Sequence, residues 1–104
     1  MSKKSHLIVY FWAKWCPVCR GSAPVFKNLA RDHGHKIQFV KFEFKEDNVV
    51  ELGDEIGISG LPNVMVYKDL KRVDKSSVIK GYKHDFKEKI RMLADYYHEL
   101  ELNQ

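Results

Sequence analysis

The chain has only two cysteines among its 104 residues, with three prolines and six glycines. Two cysteines cannot build the multi-bridge framework that staples small secreted domains. So little proline and glycine excludes collagen-like sequence and long flexible linkers. No apolar run exceeds the seven residues from Leu7 to Ala13, far short of the ~20 that a membrane-spanning helix needs. Lysine and arginine outnumber acidic residues by 18 to 14, for a net charge of +4. They form no Lys/Arg block of the kind that marks a nucleic-acid patch. A solvated basic surface is the reading of that charge, with neither nucleic acid nor membrane as a partner. The basic start, Met1 to His6, leads into no signal-peptide pattern, so a cytoplasmic location is expected. A mature form with its leader removed would read the same way. This length supplies one core and not two, which predicts a single domain over residues 1–104.

What is present is concentrated in Phe11-Trp12-Ala13-Lys14-Trp15-Cys16-Pro17-Val18-Cys19-Arg20. The two cysteines stand three positions apart, just after an apolar run that reads as a buried strand. A bridge between them would close too small a loop to stabilise a fold much, which favours a reactive pair over a structural one. A strand ending in a Cys-X-X-Cys turn that opens a helix is the layout of a dithiol redox site. The strand end brings the first sulfur to the surface, and the helix N-terminus favours thiolate over thiol.

The remaining elements follow from periodicity. His6 to Phe11 predicts a central strand apolar on both faces. Cys16 opens a helix with Pro17 in its first turn, where a missing N–H costs nothing. Apolar residues at Cys19, Ala23, Phe26, Leu29 and Ala30 recur at helical spacing; Pro24 should kink this helix and Gly34 end it. Ile37 to Phe44 predicts a second strand. Asn48 and Glu51 suggest a capping box for a short helix carrying Val49, Leu52 and Ile56, which Gly57 closes. Asn63 to Tyr67 predicts a third strand and Val73 to Lys80 a fourth, at an edge. From about Asp85 a long helix buries Phe86, Ile90, Leu93, Tyr97 and Leu100. The order β-α-β-α-β-β-α gives an α/β fold, a minimal four-stranded mixed sheet flanked by helices.

On these residues the chain resembles the thioredoxin family. Phe11 to Cys16 matches the approach to that family's active site, and Pro24 falls at its helix-kinking proline. Lys41 corresponds to its buried lysine. Gly57-Ile58-Ser59-Gly60-Leu61-Pro62 is similar to the segment carrying its cis-proline, and Gly81 resembles the glycine before its last helix. The resemblance implies a thioredoxin fold and a thiol–disulfide oxidoreductase acting on protein disulfides. Cys16 would be the nucleophile and Cys19 the resolving thiol, with no cofactor beyond their own redox-active disulfide. It also implies a cis Pro62 facing the pair, with Trp15, Gly60, Leu61, Pro62 and Gly81 as substrate-binding residues. A reductase or thiol donor would supply electrons. The plain alternative for Trp15 and Trp12 is core packing, which suits Trp12 better.

Three departures from the family pattern bear on function. Pro17-Val18 replaces the Gly-Pro of ordinary thioredoxins, and Val18 offers no charge or hydrogen bond. Tyr10 stands where the family has a buried aspartate beneath the second cysteine. A tyrosine is a poor base at neutral pH, leaving Lys41 or Glu43 to act through water, or Tyr10 as core alone. Third, the strand leading into Cys16 comes without the strand and helix that precede it in ordinary thioredoxins. This predicts the Ile37–Phe44 strand as a sheet edge, served by a homodimer or by partial cover from the last helix. Other readings are a glutathione-dependent, glutaredoxin-like reductase, which agrees with Pro17 but lacks that family's downstream signature, and a binding module without turnover. A zinc site of Cys16, Cys19, His33 and His35 has the wrong histidine spacing, so no metal is expected. His6, His84 and His98 read as solvated or capping.

Overall fold

A computed structural model describes residues 5–69, 71–73 and 79–103. Strand β1 (His6–Trp12) leads through the cysteine turn into helix α1 (Pro17–His33). Strand β2 (Gln38–Glu43), helix α2 (Val49–Ile56) and strand β3 (Asn63–Lys68) follow. Two short strands, β4 (Lys71–Arg72) and β5 (Ile79–Lys80), precede helix α3 (Phe86–Leu102). The apolar character of β1 on both faces puts it in the middle of the sheet: it runs parallel to β2 and antiparallel to β3. β4 and β5 both pair antiparallel with β3, so among the described residues the sheet has five hydrogen-bonded strands where four were expected. Of the expected fourth strand, residues 74–78 lie outside the described residues.

Side-chain alternation along β1 and β3 builds two cores, one on each face. Ile8, Tyr10, Val64 and Val66 face Phe26 and Leu29 of α1 and Phe86, Ile90 and Ala94 of α3. Val9, Phe11 and Met65 face the other way, toward Phe44, the two cysteines and the apolar stripe of α2. The start of α1 therefore lies where both layers meet. β2 is the outermost strand on its side among the described residues, the edge position expected of Ile37–Phe44. Its aromatics still find partners: Phe39 packs on Phe26 with ring centres 5.4 Å apart, and Phe42 lies between Phe11 and Phe44.

Several local expectations need correction. α1 continues through Pro24, which does not end it, and stops before Gly34 as expected, but Gly34 is right-handed (φ −64°). It is required for another reason: a Cβ there would lie 2.5 Å from the Ala30 carbonyl oxygen. The Asn48/Glu51 capping box does not form; Asn48 Oδ1 accepts the Lys45 N–H at 3.0 Å, stabilising the preceding turn instead. Gly57 does close α2 in the left-handed conformation, φ 90°. Leu100 is exposed although its spacing placed it in the stripe; its neighbour Glu101 is the side chain turned to β1 there. His6, expected to be solvated or capping, is buried: its Nδ1 lies 2.8 Å from Glu101 Oε1 and its ring packs tilted against Tyr97, centres 4.7 Å apart. Glu101 also accepts the backbone N–H groups of Ser5 and His6, clasping the end of α3 to the start of β1.

Candidate active site

The cysteine turn begins where β1 ends. The Cys16 N–H bonds to the Ala13 carbonyl, and Cys16 then caps α1 with extended backbone (φ −97°, ψ 108°). Pro17 fills the first helical position, where its fixed φ suits the helix and its missing N–H is no loss. Cys16 Sγ accepts the Cys19 N–H at 3.2 Å, so the sulfur takes the role a serine oxygen has at other helix starts. Cys16 is 8% exposed, Cys19 is fully buried, and the two are not bridged. Both belong to the core on the α2 face, with Ala13, Phe44 and Met65.

Burial pushes the Cys19 thiol up to about 12, and its hydrogen bond with Cys16 raises it further toward that value. Among the described residues, no carboxylate acts on it to oppose this. Tyr10 lies beside Cys19, stacked on Phe26 with its ring edge-on to Phe86. Its hydroxyl and Ser22 Oγ are hydrogen-bonded to each other and each lies 3.1 Å from the Cys19 carbonyl oxygen, so two hydroxyl protons serve this three-oxygen cluster. Burial holds the Tyr10 phenol neutral, with a pKa of about 12. Tyr10 is therefore more than core filling: it fixes the helix turn that carries Cys19.

The direct partners of the two residues expected to act through water in place of the family's aspartate lie elsewhere. Lys41 is exposed rather than buried, its Nζ lying 5.4 Å over the Trp12 ring. A lysine on an edge strand reaches water easily, and the indole face accepts its charge. Glu43 pairs instead with Lys45 at 3.3 Å.

The Leu61–Pro62 peptide is cis, and the Leu61 carbonyl faces Cys16 with Sγ 3.9 Å from its oxygen. Gly81, at φ 77°, donates its N–H to the Pro62 carbonyl at 2.7 Å, which ties the end of β5 to this loop. Trp15, Gly60 and Leu61 meet beside Cys16, Pro62 is buried behind them, and Val18 is exposed on the first turn of α1. The buried Asn63 that follows has an unpartnered Oδ1, the only such side-chain atom among the described residues. Also among the described residues, no group of three or more His, Cys, Asp or Glu is placed to hold a metal ion, and no helix is long and apolar enough to cross a membrane.

Sequence reasoning missed three contributors. Ser22 is a small polar residue one turn after Cys19, on the buried face, and that position was its only signal. α2 was read as packing, yet Val50 and Asp54 line a groove of about 670 Å³ that ends at Cys16. Val50 is 75% exposed, and its place off the Val49/Leu52/Ile56 stripe hinted at this. Tyr82, exposed beyond Gly81, packs edge-on against Phe86 at 5.1 Å. Nothing in its local pattern set it apart from a loop residue.

The Thioredoxin family model matches residues 1–92. Thioredoxin 1 of Synechococcus elongatus is 37% identical over 68 residues, 65% of this chain and 62% of that protein. Glutaredoxin-3 of Mus musculus is 36% identical over 75 residues, 72% of this chain but 21% of that protein. The matched segment thus spans less than two thirds of either relative. Among solved structures, the oxidised thioredoxin of Plasmodium falciparum superposes with a TM-score of 0.65 at 27% identity, covering 93% of this chain and 85% of that one. A Malassezia sympodialis thioredoxin gives 0.70 at 22% identity, covering 93% and 78%, a likeness of fold.

Proposed function

The chain belongs to the thioredoxin family, and from that premise we propose that it is a thiol–disulfide oxidoreductase acting on protein disulfides through Cys16 and Cys19. The observation that carries this reading is the asymmetry of the pair. Cys16 lies at the helix start, with its sulfur on the Cys19 N–H, while Cys19 is sealed one turn deeper. The Cys19 N–H and the start of α1 both meet at Cys16 Sγ, the sulfur that faces the groove.

The Cys16 thiolate attacks one sulfur of a substrate disulfide, forming a mixed disulfide and expelling the other sulfur as a thiolate, which takes up a proton. Cys19 then loses its proton and attacks Cys16 Sγ, releasing the second substrate sulfur, which is protonated in turn. Two electrons and two protons pass to the substrate, and the Cys16–Cys19 disulfide remains. A reductase or a small thiol returns the pair to the dithiol. Trp15, Val18, Gly60, Leu61, Pro62 and Gly81 would form the surface on which an extended substrate segment lies, with Pro17 shaping the turn. Dithiols are kept reduced in the cytoplasm, which is the compartment this reading assigns.

Insulin reduction with dithiothreitol as donor tests the reading. The native chain should accelerate precipitation of the insulin B chain, Cys16→Ser should not, and Cys19→Ser should accumulate a mixed disulfide with substrate. Full activity in Cys16→Ser would end the proposal. Turnover of a glutathione mixed disulfide but not of insulin would move the activity to the glutathione-dependent class.

A further inference from the structure

The groove beside Cys16 has a floor and walls of apolar side chains, including Trp15, Phe44, Val50 and Leu61, and one charged lining residue, Asp54. Asp54 belongs to a local reversal of charge. The chain as a whole carries +4, yet residues 46–57 include Glu46, Asp47, Glu51, Asp54 and Glu55 and no lysine or arginine. All five are exposed, and none is held in an ion pair among the described residues. Of the cations that flank this segment, Lys45 is tied to Glu43, and Arg72 lies beside Gly57 at the C-terminal end of α2. Asp54 on the wall of the apolar groove, with the four other acids of the segment exposed nearby in sequence and outside the printed ion pairs, biases this side of the site toward negative potential.

The polarity changes on the other flank. Beyond Gly81, Lys83, His84 and Lys87 stand around a shallower cleft of about 390 Å³ over Val25 and Phe86. Asp85, the acid among them, is paired with Lys89 at 3.3 Å. The acidity is therefore a property of the α2 wall and not of the whole reactive surface.

Resting on the oxidoreductase reading, we propose that this groove selects partner proteins whose reactive disulfide lies in a basic, apolar segment. An apolar side chain next to the partner's cysteine fills the groove against Val50 and Trp15. A lysine or arginine one or two residues farther on meets Asp54 and Glu51. Charge placed this way changes encounter and discrimination more than it changes the sulfur chemistry.

Two short peptides, each with a leucine beside its only cysteine and carrying either two lysines or two glutamates, provide the probes. As symmetric disulfides they report kcat/KM. With serine in place of cysteine they report bare binding, read from the amide NMR shifts of Gly53 and Asp54. The lysine peptide should be favoured about three- to tenfold at low salt in both measurements, the range expected for a few exposed charges, and less at high salt. Asp54→Lys combined with Glu51→Lys should invert the preference, with the melting temperature checked to show that the variant folds. Equal handling of the two peptides, or a preference that the reversal does not move, would overturn the inference. Failure to reduce either disulfide would count against the oxidoreductase reading alone, because the serine peptides would still decide whether the groove prefers cations.

Discussion

The resolving step should be strongly pH-dependent, because among the described residues no carboxylate or imidazole acts on Cys19 to take its proton. With the thiol pushed up to about 12, only about 10⁻⁵ of it is ionised at pH 7. Burial is the larger cause, and it persists when Cys16 is occupied in a mixed disulfide. The Tyr10 hydroxyl is itself held neutral near 12 and bonds the Cys19 carbonyl, as does Ser22 Oγ. The rate of resolution should follow the thiolate fraction, rising about tenfold per pH unit and about a hundredfold between pH 7 and 9. Stopped-flow mixing with an aromatic disulfide whose released thiolate absorbs visible light separates the steps. The first release reports Cys16 and the second reports Cys19. A second phase that stayed level from pH 7 to 9 would mean that a base accepts the proton, and the argument from burial would fail.

Tyr10→Phe removes the hydroxyl that links the Cys19 carbonyl to Ser22, and should cost about 1–3 kcal/mol in urea unfolding. The pH slope of the second phase should be unchanged, since the phenol positions the helix turn and does not carry the proton; a flattened slope would contradict that. Gly57→Ala puts a side chain at φ 90° and should cost about 1–2 kcal/mol, seen as a lower thermal midpoint; no change would mean that the turn relaxes. At Glu101, burial raises the carboxyl, but hydrogen bonds from the His6 ring and from the His6 and Ser5 amides outweigh it and hold the pKa below the usual range. A depressed carboxylate stabilises the fold above its unfolded pKa of about 4.3, and that contribution is lost as pH falls through the folded value. The native chain should therefore exceed Glu101→Gln in stability at pH 7, by a margin that shrinks below about pH 4; a constant margin would exclude the linkage.

The sequence by itself determined the order of elements, the central place of β1, the edge place of β2 and the location of the reactive pair. Each is a local property. An apolar run marks β1, three-residue spacing marks the cysteines, and the helix start follows from Pro17. Gly57 was legible because a left-handed helix end is a demand of the backbone alone. The signals that failed were those whose meaning depends on a distant partner. Asn48 and Glu51 have the letters of a capping box, but the Lys45 amide competes for the asparagine. Lys41 has the position of a buried lysine, but an edge strand beside Trp12 leads it to water. His6 and Glu101 stand 95 residues apart and meet only because α3 folds back along β1. Tertiary structure alone decided that Tyr10 and Ser22 clasp the Cys19 carbonyl and that α2 forms an acidic wall beside Cys16. The physical reason is common to both cases. Hydrogen bonding and burial depend on what the fold brings within a few ångströms, and periodicity along the chain carries no record of that.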